Sequence, residues 1–166
     1  MMIRLFSQCA VGAALLAASA IAIAAPMKAQ ALSITASIQE FVGPSPRCAS
    51  NFGSTLTGQG ISPLLGRVVL IGTDCITPSG PLLNFSDGKI VIVTTSGEQI
   101  YANYTGQAVP TGEGTKYLFN GATFHITGGT GSNFRATGGG TITGGGDLAT
   151  GAGAIEIAGQ ITRMGR

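Results

Sequence analysis

The chain has no tryptophan, a single histidine, and charged side chains at only 10% of its 166 positions. So little charge excludes long solvated helices, whose outer faces need Glu, Lys and Arg. It also excludes disorder driven by net charge, because apolar residues still make up 44% of the chain. A nucleic-acid partner needs a concentrated cationic surface, and Arg47, Arg67, Lys89, Lys116, Arg135, Arg163 and Arg166 are scattered. From Leu32 onward no segment carries a helical apolar stripe of useful length. What remains is a chain long enough for one domain, built without helices.

The N-terminus has the anatomy of a cleaved secretory leader. Met1 to Arg4 form a short basic start, and no charge follows until Lys28. Residues 9–25 are rich in Ala, Leu and Ile, and two Ala-x-Ala sites follow, Ala22-Ile23-Ala24 and Ala29-Gln30-Ala31. The second leaves a polar stretch between the apolar core and the cut, so the expected organisation is a helical signal peptide at 1–31 and one domain at 32–166. Export to the periplasm or beyond follows, with no membrane span left after cleavage. Loss of Arg4 and Lys28 takes nine Lys and Arg to seven, against seven Asp and Glu, so the mature chain is neutral. Cys9 goes with the leader, leaving Cys48 and Cys75 as a pair. In an oxidising compartment such a pair is expected to form a disulfide, worth roughly 3.5 kcal/mol for a loop of about 28 residues. Neither cysteine has a histidine or second cysteine at zinc-ligand spacing.

The rest alternates in short β-branched runs broken by Gly, Pro, Asn and Asp. Residues 33–42 read as a strand with Ile34, Ala36 and Ile38 on one face. Residues 43–54 read as a loop, 66–72 as a strand covered on both sides, and 73–81 as a second loop. Residues 89–95 and 98–104 form a hairpin about Ser96-Gly97, with Ile100, Ala102 and Tyr104 on one face. Residues 117–119 and 122–127 follow, separated by Asn120-Gly121 as a bulge or turn, then 134–143 and 154–162. Such spacing indicates an antiparallel barrel or sandwich. A closed barrel hides its strand edges and uses glycine at sharp bends, and eleven of the 27 glycines lie between Gly128 and Gly153.

The segment Phe124-His125-Ile126-Thr127-Gly128-Gly129-Thr130-Gly131, followed by Phe134, Ala136 and Gly138, resembles the GGTG-x-F-x-x-A-x-G signature of the allene oxide cyclase and dirigent-like barrels. Asp87-Gly88 and Ser96-Gly97-Glu98 are similar to that pattern too, and the likeness covers roughly 66–162. Two residues, Ser132 and Asn133, stand where the family has one, and Arg135 follows Phe134 instead of preceding it. The resemblance implies an eight-stranded antiparallel barrel with a central cavity. Some members of that family cyclise reactive substrates or guide radical coupling in an apolar lumen. None of their catalytic residues can be matched here. The fold-signature turn is expected to comprise Gly128, Gly129 and Gly131, with positive φ available to each, and Phe134 as a plug beneath it.

The same glycines fit one turn of a calcium-binding nonapeptide, but 137–145 does not repeat it, so no metal is expected. They are not a dinucleotide fingerprint either, since Phe134 replaces the third glycine, and no cofactor is expected. His125, Glu98, Tyr101, Tyr104, Arg67 and Arg135 are candidates for a lumen, though a strand face or rim suits each as well. Three functions fit these features. The first is a non-catalytic exported barrel that binds a small apolar molecule or serves as a structural module. The others are a cofactor-independent cyclase or isomerase and a self-associating surface protein.

Overall fold

The structure is a computed structural model and describes residues 27–164. The expected leader helix therefore lies almost wholly outside the described residues. Eight strands pair in sequence order and close on themselves: β1 (Met27–Pro44), β2 (Phe52–Ser62), β3 (Gly66–Ser79), β4 (Leu82–Thr94), β5 (Gln99–Pro110), β6 (Lys116–Gly129), β7 (Thr137–Asp147) and β8 (Ala152–Met164). Every pairing is antiparallel, and β1 closes the barrel on β8 from Met27↔Met164 to Gln39↔Ala152. The expected all-β, eight-stranded antiparallel barrel is the fold observed.

The inner face is built by alternation. Leu32, Ile34, Ala36 and Ile38 of β1 are buried, as are Ile100, Ala102 and Tyr104 of β5 and Ile155 and Ile157 of β8. Each large aliphatic so buried stabilises the fold by about 1.5–3 kcal/mol. An eight-stranded barrel is just wide enough for its side chains to fill, so bulk on one strand must face little bulk on another. β7, TGGGTITGGGD, supplies the small side of that balance. A Cβ on Gly140 would collide with the Ala158 carbonyl of β8, so the two backbones come closer there than any other residue permits.

Several strands outrun their expected limits. The stretch 73–81 is no loop; β3 runs on to Ser79 through a register shift between Thr73 and Cys75. The extra residue at that shift lies on β4, where Asp87 and Gly88 oppose Asp74. Asp74 and Ile76 continue the inward face of Val68, Leu70 and Gly72, but a glycine and an aspartate on that face hide the period-two signal. Cys75 between them is buried at its disulfide. The expected loop at 43–54 shrinks to 45–51, because β1 ends at Pro44 and β2 begins at Phe52. β2 escaped detection because Gly58 and Gly60 occupy positions where alternation would show bulk. Asn120-Gly121 belongs to a bulge within a continuous β6, where pairing with β7 shifts between Leu118 and Thr123.

The glycine segment is a hairpin, as expected, but its plug is not Phe134. β6 and β7 are joined through a short 3-10 turn, Gly131–Asn133, fixed by Asn133 N–H to Thr130 O at 3.0 Å and Phe134 N–H to Gly131 O at 3.1 Å. The extra residue in that turn rotates the chain, so Asn133 is fully buried and Phe134 is 53% exposed. Ala136 takes the inward place, and the Arg135 guanidinium lies 5.3 Å from the centre of the Phe134 ring. The turn is held from across the barrel end. Ser132 donates its N–H and hydroxyl to the Glu98 carboxylate at 3.0 and 2.8 Å, and the Gln99 N–H donates to Thr130 Oγ1 at 2.9 Å. Gly131 has φ +59°, and a Cβ there would strike the Glu98 carboxylate.

Phe134→Ala should therefore cost less than about 1 kcal/mol in denaturant unfolding, the loss of an exposed cation–π contact. Gly140→Ala should cost about 2–3 kcal/mol in the same assay, since a backbone carbonyl cannot step aside. The opposite ranking would restore Phe134 as the plug.

Candidate functional site

Strand direction sorts the connections into two ends. The glycine turn, the Ser96-Gly97 turn, Met27 and Met164 share one end. The connections at 45–51, 80–81, 111–115 and 148–151 share the other, and there the inner face turns polar.

Several strands contribute to that polar layer. Asp74 continues the inward face of Val68, Leu70 and Gly72 of β3, and the residue is only 4% exposed. Ser54 of β2 donates to Asp74 Oδ1 at 2.8 Å, and Tyr104 of β5 donates to Oδ2 at 2.8 Å. Beside them Tyr117 of β6 donates its hydroxyl to Glu40 Oε2 of β1. Gly88 leaves room for the Tyr104 ring: a Cβ there would lie 2.7 Å from two ring carbons. Phe119 packs edge-on against Phe85, with ring centres 5.3 Å apart, and lies 5.5 Å from the Tyr117 ring. The Cys48–Cys75 disulfide ties the 45–51 connection to β3 beside Asp74, so the expected bridge is present.

These groups surround a cavity of about 30 Å³, lined by Glu40 and Asp74 among Ile38, Leu56, Phe85, Tyr104 and Phe119. A water needs roughly 10–15 Å³ by the same measure, so the space takes two waters or the tip of a larger molecule. No cation lies within salt-bridge distance of either carboxylate among the described residues. A buried carboxylate without a counter-charge must be satisfied by hydrogen bonds, and the hydroxyls do this.

The two phenols carry the electrostatic signature. Burial, then the Asp74 charge and hydrogen bond, push the Tyr104 hydroxyl far above the ordinary tyrosine value. Burial and the Glu40 charge do the same to Tyr117. Both rings stay protonated at neutral pH, with their protons committed to carboxylates. Glu40 and Asp74 therefore line the cavity as acceptors of these protons. A group entering it must bring the donor.

Of the residues singled out from sequence, only Tyr104 belongs here. Tyr101 faces outward and donates to Gln99 Oε1 at 2.7 Å, and His125, Arg67 and Arg135 are exposed. Glu98 serves the glycine turn at the far end. Sequence reasoning missed Glu40, Ser54, Asp74 and Tyr117. Glu40 could have been found, since it continues the period-two face of Ile34, Ala36 and Ile38. Asp74 likewise continues the face of Val68, Leu70 and Gly72, and the reading of 73–81 as a loop hid it.

Compared with family models, curated proteins and solved structures, the chain matches none. The fold and site define it as a closed eight-stranded barrel with one acidic, tyrosine-lined end.

Both phenol shifts are upward, so the folded state holds two protons more tightly than the unfolded chain. Their contribution is complete below the free-phenol value of about 10 and is lost as pH climbs above it. Tyr104 and Tyr117 should thus resist ionisation until the barrel unfolds. In an alkaline titration their phenolate absorbance should rise together with loss of the β-sheet circular dichroism. Ionisation of both with the sheet intact would contradict the buried network.

Proposed function

We propose that this chain is an exported, non-catalytic binding module whose polar barrel end receives the hydrogen-bond-donating tip of a small apolar molecule, an amphipathic amine fitting best. One observation carries the reading: Glu40 and Asp74 face an apolar cavity as acceptors, with the hydroxyl protons of Ser54, Tyr104 and Tyr117 already committed to them. The cavity admits a tip and not a whole ligand, so the apolar body would rest at the mouth against Phe85 and Phe119. Aromatic faces there add attraction for a cation. The buried Cys48–Cys75 bridge supports an oxidising, exported setting.

The likeness of the 124–138 segment supports placing the chain among the allene oxide cyclase and dirigent-like barrels, and we propose that kinship. A cyclase or isomerase would need a free general acid or base in the lumen. Here each carboxylate is engaged by hydroxyls and each phenol is held protonated. Edge-to-edge self-association is disfavoured too, since every strand has a partner on both sides over most of its length.

Calorimetric titration of the oxidised protein with n-hexylamine, benzylamine and hexanoate tests the binding reading. Saturable binding of the amines and none of hexanoate is expected, with Glu40→Gln weakening the amines about tenfold. Equal binding of hexanoate, or no binding of any of the three, would overturn it.

A further inference from the structure

The expected cleavage after Ala31 meets a strand. β1 begins at Met27, and residues 27–31 pair with β8 in unbroken register, Met27↔Met164, Lys28↔Arg163, Ala29↔Thr162, Gln30↔Ile161 and Ala31↔Gln160. Here β1 has only one neighbour, since its pairing with β2 starts at Thr35. Most of these side chains are exposed, so the backbone ladder is what the segment contributes. One side chain adds to it. Gln30 Oε1 accepts from Arg163 Nε at 2.9 Å, and Arg163 Nη1 donates to Asn133 Oδ1 at 3.2 Å. Asn133 is the fully buried residue of the glycine turn, and its Nδ2 has no partner among the described residues. Gln30 thus orients the guanidinium that satisfies a buried amide oxygen. Lys28 and Gln30 also form part of the wall of an open polar basin of about 470 Å³ at this end of the barrel, with Glu98 and Arg163.

We infer that the leader is cut at the first Ala-x-Ala site, between Ala24 and Ala25, and that residues 27–31 stay in the mature protein as the opening of β1. This rests on the export reading above. Water adds to the Ala24 carbonyl carbon, the Ala24–Ala25 C–N bond breaks, and Ala25 leaves with a new α-amino group. A cut after Ala31 would instead leave the last stretch of the β1–β8 seam unpaired, expose backbone donors and acceptors along β8, and remove part of the basin wall. The retained Lys28 also changes the charge: removal of Arg4 alone leaves eight Lys and Arg against seven Asp and Glu.

The full precursor, expressed in a bacterial host and recovered from its export compartment, is read by intact mass and N-terminal sequencing. A start at Ala25 is expected. A start anywhere beyond Met27, Leu32 above all, overturns this inference and leaves export standing. A chain found uncut, with Met1 in place, sinks the export reading and this inference with it. A second measurement compares oxidised chains starting at Ala25 and at Leu32. The shorter chain should melt about 5 °C lower or fail to fold, and equal midpoints would overturn the structural role given to residues 27–31.

Discussion

Closure of the sheet is the constraint on which everything else in this protein depends. Eight strands in a ring leave an interior that side chains must fill without excess, and each backbone must reach its neighbour on both sides. The isoleucine-rich faces of β1, β4 and β8 supply much of the bulk. The glycines of β7 supply the compensating absence of it. Neither would serve alone: a ring of isoleucines would not close, and a ring of glycines would have no core. The bulge in β4, which shifts its register against both β3 and β5, follows from the same closure, since bends in the sheet need an extra residue on one strand.

That bend also helps shape the polar site, since Gly88 beside it leaves room for the Tyr104 ring. The regular alternation of β3 carries Asp74 inward after Val68, Leu70 and Gly72. The same alternation puts Cys75 on the opposite face, where it meets Cys48. A buried carboxylate is costly, and the hydroxyls of Ser54 and Tyr104 offset that cost. The barrel ends thus differ in kind. One is clamped through Glu98, Thr130 and Ser132 and serves the fold; the other gathers acidic and phenolic groups around an apolar space.

Most of the fold was legible in the chain, and the unread parts share one cause. Faces with aliphatics at every second position, such as Ile34 to Ile38 and Ile100 to Tyr104, declared both strand and direction. β2 and the second half of β3 did not. Glycine leaves an inward position looking empty, at Gly58 and Gly60 of β2 and Gly72 of β3, and Asp74 then puts a polar side chain on the same inward face. The site fared worse, because its members come from strands far apart in sequence: Glu40 and Tyr117 are 77 residues apart. Of them, Tyr104 was singled out and Glu40 lay on a face already recognised.

The glycine segment shows the division most clearly. Composition and alternation by themselves determined an all-β chain, a hairpin at 124–146 and a cysteine pair suited to an oxidising compartment. These are local properties, set by backbone freedom and side-chain period. Only the tertiary structure decided that Asn133 and Ala136, and not Phe134, turn inward. One added residue in a tight turn reverses which side chains face the core, and no local preference records that rotation. The partners of Asp74 and of Met27 were settled in the same way, by strands that meet only when the barrel closes.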